Sequence, residues 1–121
     1  MNLRNGVVLA AVAAVVPIAA SARDSVTRFR LSPASDNVHE CFDLDANLAR
    51  THTVTVKAGD VEITSAGGIE GRMKPVRAGV YEIAFELSGL RLDVVADLAG
   101  PPPRLTVRER DHGCTWAARP E

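Results

Sequence analysis

The chain has 121 residues, with 14 Lys and Arg against 15 Asp and Glu, for a formal net charge of −1. That balance gives no net positive charge of the kind nucleic-acid backbones attract, so no nucleic-acid partner is expected. Aromatic residues make up only 4% of the chain and there are two cysteines, which leaves few rings for a stacking platform and one possible intrachain disulfide.

The first residues carry a short basic start at Arg4, an apolar run from Val7 to Ala20 broken by Pro17, and a small-residue close at Ala20-Ser21-Ala22. This pattern predicts a secretory signal peptide over residues 1–22, cleaved after Ala22. The run is shorter than a membrane span requires, so no membrane span is expected after processing. No cysteine sits just beyond the cleavage site, so a lipid-anchored start is not expected. The expected product is an exported single domain, residues 23–121, located in the periplasm or secreted.

Ser25 to Leu31 alternates, with Phe29 and Leu31 on one side and Arg28 and Arg30 on the other, and predicts a first half-buried strand. Ser32-Pro33-Ala34-Ser35-Asp36-Asn37 is expected to end it. Val38 to Leu44 reads as a short strand, after which Asp43 or Asp45 caps one helical turn through Arg50. Thr51 to Ser65 predicts a hairpin, with Val54 and Val56 facing Val61 and Ile63 across a tight Ala58-Gly59 turn that Lys57 and Asp60 flank. The glycine-rich segment from Ser65 to Gly71 reads as a mobile loop, and Arg72 to Val76 as an edge strand because of Pro75.

Gly79 to Ala99 is the strongest pattern in the chain. Tyr81, Ile83, Phe85 and Leu87 run out and Leu90, Leu92, Val94 and Ala96 run back, with the two-residue loop Ser88-Gly89 between them. That loop pairs 87/90, 85/92, 83/94 and 81/96, so one face is wholly apolar, while Glu86 meets Arg91 on the other. A slip of one residue would oppose apolar to charged side chains along the ladder. After the stiff Gly100-Pro101-Pro102-Pro103 connection, a last hairpin places Leu105 and Val107 on the face of Cys114, Trp116 and Ala118, provided the loop around Asp111-His112-Gly113 has an even count.

Seven or eight short strands with almost no helix predict an all-β fold, an antiparallel β-sandwich. The spacing of Cys41 and Cys114 is similar to that of immunoglobulin-like domains, and the architecture is carried over by analogy alone. The single Trp follows the second cysteine and no Tyr stands two residues before Cys114, so no functional residue is transferred.

In an exported chain Cys41 and Cys114 are expected to form a disulfide worth roughly 4 kcal/mol in the chain-entropy picture. A histidine precedes each by two residues, His39 and His112, and on strands that spacing shares a face. The alternative reading is therefore a copper or zinc site of His39, Cys41, His112 and Cys114. Asp43-Leu44-Asp45-Ala46-Asn47 opens like a calcium loop but has Leu48 where Gly is needed and Val54 where a bidentate Glu is needed. Arg104, Arg108 and Arg110, with Arg28 and Arg30 if the first and last strands are neighbours, form a candidate anion-binding stripe, against the plainer reading of a solvated or edge-guarding face. Glu82, Glu86, Asp93 and Asp97 share an outer face, which is too flat for paired-carboxylate catalysis. Nucleophile, zinc-protease and phosphate-loop motifs are absent from the sequence. The reading is a non-enzymatic exported binding module without a cofactor, whose partner is a protein or an envelope component met through loops or an open sheet edge.

Overall fold

A computed structural model describes residues 23–121, and the expected signal peptide lies outside the described residues. The strands are β1 (Ser25–Arg30), β2 (Ser32–Pro33), β3 (Thr51–Lys57), β4 (Asp60–Ser65), β5 (Glu70–Arg77), β6 (Val80–Leu87), β7 (Leu90–Asp97), β8 (Arg104–Glu109) and β9 (Thr115–Ala118). A 3₁₀ turn, His39–Cys41, runs into the one helix among the described residues, α1 (Phe42–Leu48). Every pairing between these strands is antiparallel.

The strands form one nine-stranded sheet in the order β1-β3-β4-β5-β6-β7-β8-β9-β2. The two ends of that list are consecutive in the chain, with only Leu31 between β1 and β2, so the sheet curls until its last strand meets its first. The C-terminal tail extends the junction: Pro120 bridges to Phe29, and the Glu121 N–H donates to the Arg28 carbonyl at 2.8 Å. The expected two stacked sheets are thus replaced by a single antiparallel sheet nearly closed into a barrel. Closure removes edges that a sandwich would leave open.

Three hairpins follow the sequence pattern. The β6–β7 ladder pairs 87/90, 85/92, 83/94 and 81/96, and Glu86 with Arg91. Ser88 and Gly89 both take positive φ, 53° and 78°, as a two-residue turn matched to strand twist requires. The β3–β4 ladder pairs Val54 with Ile63, Val56 with Val61 and Lys57 with Asp60. In the third, Arg108 pairs with Thr115 and Val107 with Trp116, which leaves an even-numbered loop and puts Leu105, Val107, Trp116 and Ala118 inside.

Five local expectations change. Val38 to Leu44, read as a short strand, is instead the 3₁₀ turn running into α1, because Leu44 and Leu48, four residues apart, bury one helical face. Arg72 to Val76 is not at a sheet edge but lies within β5, which pairs with β4 through Arg72 and Met73 and with β6 through Lys74 and Pro75. Pro33 does not end the first strand but continues it after a bend, paired with Trp116 on a side of the ladder where its missing N–H is not needed. No side chain caps α1; Asp45 instead accepts a hydrogen bond from Trp116 Nε1 at 2.8 Å, tying the helix to the barrel wall. The glycine-rich segment is anchored, with Ile69 1% exposed and its N–H donating to Ser65 Oγ at 3.3 Å. Gly67 packs on the Asn47 carbonyl of α1, where any side chain would collide.

The interior is filled by side chains. Phe29, Val54, Ile63, Leu92, Val94, Leu105, Val107 and Trp116 are buried along the strands, while Leu44 and Leu48 of α1 plug the end of the barrel that carries the helix. A barrel packed in this way has a core where a ligand-binding one has a cavity.

Candidate functional site

Cys41 and Cys114 are joined, with Cα atoms 6.0 Å apart and both side chains buried. The bond fastens the start of the helical segment to the β8–β9 loop across the end of the barrel. It holds the adjoining surface residues Val38 and Phe42, 45% and 53% exposed, in a fixed position, with the His39 ring edge-on to Phe42 at 5.3 Å. His112 turns elsewhere: its Nδ1 bonds Glu109 Oε2 at 3.1 Å. With the sulfurs bonded to each other, the two histidines have separate partners, and among the described residues no group of three or more His, Cys, Asp or Glu is gathered to hold a metal ion.

Glu109 is the residue that sequence reasoning missed. It follows Leu105 and Val107 in phase, so strand alternation turns it inward, and its side chain has no exposure. The carboxylate accepts the His112 N–H at 2.7 Å on Oε1 and the Asp111 N–H at 2.9 Å on Oε2, besides the His112 ring. Burial alone would raise this carboxyl, but the bonds from His112 and Asp111 together outweigh it and hold the group below its usual range. Its parity with Leu105 and Val107 was the available signal. The consequence is structural: one buried charge orders the loop that carries Cys114.

His52 is the second buried polar group. Its Nε2 donates to the Leu48 carbonyl at 2.9 Å, while Nδ1 has no partner. Burial depresses its pKa, and the Leu48 bond only partly opposes that.

The arginine stripe divides. Arg110 forks onto Asp93 through Nε at 2.8 Å and Nη2 at 2.6 Å, and Arg91 holds Asp111 at 2.7 Å; each guanidinium keeps its carboxylate below the usual range. Arg108 stands opposite Asp93 in the ladder. These pairs neutralise the β7–β8 wall, and Glu82 and Glu86 remain exposed on the neighbouring strand. Arg28 approaches Glu121 at 3.9 Å. Arg30 and Arg104 lie on strands separated by the C-terminal strand and its tail, not on adjacent ones.

One wall of the barrel is incomplete. The β5–β6 ladder comprises Arg77/Val80, Pro75/Tyr81 and Lys74/Glu82, with a bulge, and then stops. Glu70–Met73 pair only with β4, and Ile83–Leu87 only with β7. A Cβ at Gly71 would sit 2.7 Å from Ile83 Cδ1, so the Ile83 side chain reaches across beneath the gap and would have to shift for any larger residue there. Ile83, Phe85 and Leu87 are half-buried under this seam. A groove of about 370 Å³ opens above it, lined by Arg72, Lys74, Glu82, Ile83 and Ala84.

The hairpin geometry says which backbone groups face the seam. In a two-residue loop the flanking pair, Leu87 and Leu90, exchanges both ladder hydrogen bonds, and alternate pairs repeat this at 85/92 and 83/94. The N–H and C=O of Ala84 and Glu86 therefore point away from β7, into the seam.

No family model matches the chain, and searches of curated proteins and of solved structures found no match.

Proposed function

We propose that this protein is a small exported, non-enzymatic binding module of the cell envelope that takes an extended segment of a partner protein by strand addition at the β6 edge of the seam. The supporting observation is the break in the ladder, which leaves the backbone groups of Ala84 and Glu86 without a ladder partner on β5, over half-buried Ile83, Phe85 and Leu87. Strand addition draws its affinity from such main-chain groups and its selectivity from the side chains alongside them, here Arg72, Lys74 and Glu82. At the β1–β9 junction the tail covers β1 as far as Arg28, whereas the seam leaves the run from Ile83 to Leu87 without a ladder partner on that side, so the seam offers a strand the longer edge. The filled interior favours a surface partner over an enclosed small molecule.

The test uses purified residues 23–121 as bait for envelope extracts, beside an Ala84→Pro variant. Proline removes the seam-facing N–H at 84 while the β6–β7 hydrogen bonds of Ile83 and Phe85 remain. The expected result is a partner held by the wild type and lost from the variant, with the melting temperature retained. No partner above background, or equal capture by both proteins, would overturn the reading.

A further inference from the structure

On the wall opposite the seam, the registers at the barrel's closure assemble a row of arginines. The register that pairs Trp116 with Pro33 also bridges Pro120 to Phe29, so Arg119 stands opposite Arg30. The β8–β9 ladder ends at the Ala118/Leu105 pair, and Arg119 and Arg104 are the next residues outward from it, on the outer face of their strands. Three exposed arginines thus lie side by side across three strands, spanning about 10 Å at the usual strand spacing. Among the described residues, none of the three has a carboxylate within 4.0 Å; the nearby Glu121 approaches Arg28, and Asp97, opposite Arg104, accepts the Ala99 N–H.

Like charges directly opposite on a sheet oppose folding. Guarding a free edge does not account for this row, because β1, β9 with its tail, and β8 are paired here. The next row of the outer face consists of Ser32, Ala117 and Thr106, short side chains that leave the guanidinium forks open to approach. Adjacent forks can share the oxygens of one multiply charged oxyanion, which relieves the repulsion among them.

We propose that Arg30, Arg119 and Arg104 form a binding site for the phosphate groups of a polyanion. The site lies on an open convex wall, so the ligand is a chain of phosphates laid along the row and not a small molecule enclosed in a pocket. This inference does not depend on the strand-addition reading, since the two sites are on opposite walls.

The experiment titrates residues 23–121 with inorganic tripolyphosphate by calorimetry at two salt concentrations. Comparison proteins are Arg119→Ala, Arg119→Lys and, as a control of equal charge change at the β5–β6 turn, Arg77→Ala. The expected result is salt-sensitive binding, weakened about tenfold or more by Arg119→Ala, as for loss of one charge-assisted contact, and little changed by Arg77→Ala. Arg119→Lys, which keeps the charge and loses the fork, falls between them. Equal weakening by Arg77→Ala and Arg119→Ala, or no binding of tripolyphosphate, would overturn the site. Sedimentation with phosphatidylglycerol vesicles in the absence of tripolyphosphate binding would also overturn it, in favour of a lipid surface.

Discussion

Replacing Glu109 by Gln keeps the size of the side chain and removes its charge. The carboxylate now accepts from the His112 N–H at 2.7 Å, the Asp111 N–H at 2.9 Å and the His112 ring at 3.1 Å, in a site without solvent exposure. Gln has one acceptor oxygen, and its amide must turn hydrogens toward one of the two backbone donors. A backbone N–H left without its partner in this part-buried loop costs about 1 kcal/mol, the low end of the penalty for a buried one, and the surviving bond loses its charge assistance, so the total is about 1–3 kcal/mol. For a domain of this size that corresponds to a melting temperature lower by roughly 5–20 °C. Urea titration with the disulfide intact, followed by the fluorescence of buried Trp116, measures it directly. Because Glu109 is held below its ordinary pKa of 4.5, its stabilisation is present above that pH and is lost as pH falls through the folded-state value. The gap between wild type and the Gln variant therefore closes in acid. A loss below about 0.5 kcal/mol at neutral pH, the size of an ordinary surface change, would refute the role given to this carboxylate.

His52 adds a second, earlier pH window. Its folded pKa lies below the ordinary 6.5, so stability is full above that pH and declines as pH falls beneath it; His52→Leu, monitored by thermal unfolding across the same range, should lack that decline while losing the Leu48 hydrogen bond. Cys41→Ser with Cys114→Ser should lower stability by about 4 kcal/mol in the chain-entropy picture, read by denaturant titration of the double variant, and thiol alkylation of the native protein should label neither cysteine unless it is first reduced.

The hairpins were legible because their alternation is local: one turn and an apolar face suffice to set 85 against 92 or 54 against 63. The closure was not, since it depends on Pro33 pairing across 83 residues with Trp116 and on a tail bridge at Pro120, neither of which a periodicity records. A proline that reads as a strand terminator sits on the side of its strand where no donor is needed. The same long-range pairing hid Arg119, which follows the last alternating segment and acquires its neighbours, Arg30 and Arg104, only when the barrel closes. Glu109 was obscured by its charge, which suggests an outer face, while its phase with Leu105 and Val107 sends it inside. Asp45 read as a helix cap because nothing local indicates that Trp116 will reach it. The seam was invisible as well: Arg72 to Val76 looks like an ordinary edge strand, and the ladder's end at Lys74/Glu82 follows from how β5 bends between its two neighbours.

Amide hydrogen exchange resolved along β6 tests the central claim, that the barrel wall is open beside this strand. Ladder geometry predicts slow exchange at Ile83 and Phe85, which bond β7, slow exchange at Glu82, which pairs with Lys74, and exchange faster by orders of magnitude at Ala84 and Glu86. Protection at Ala84 and Glu86 equal to that at Phe85 would contradict the account, because it would mean that the seam is closed and no strand edge is there to bind.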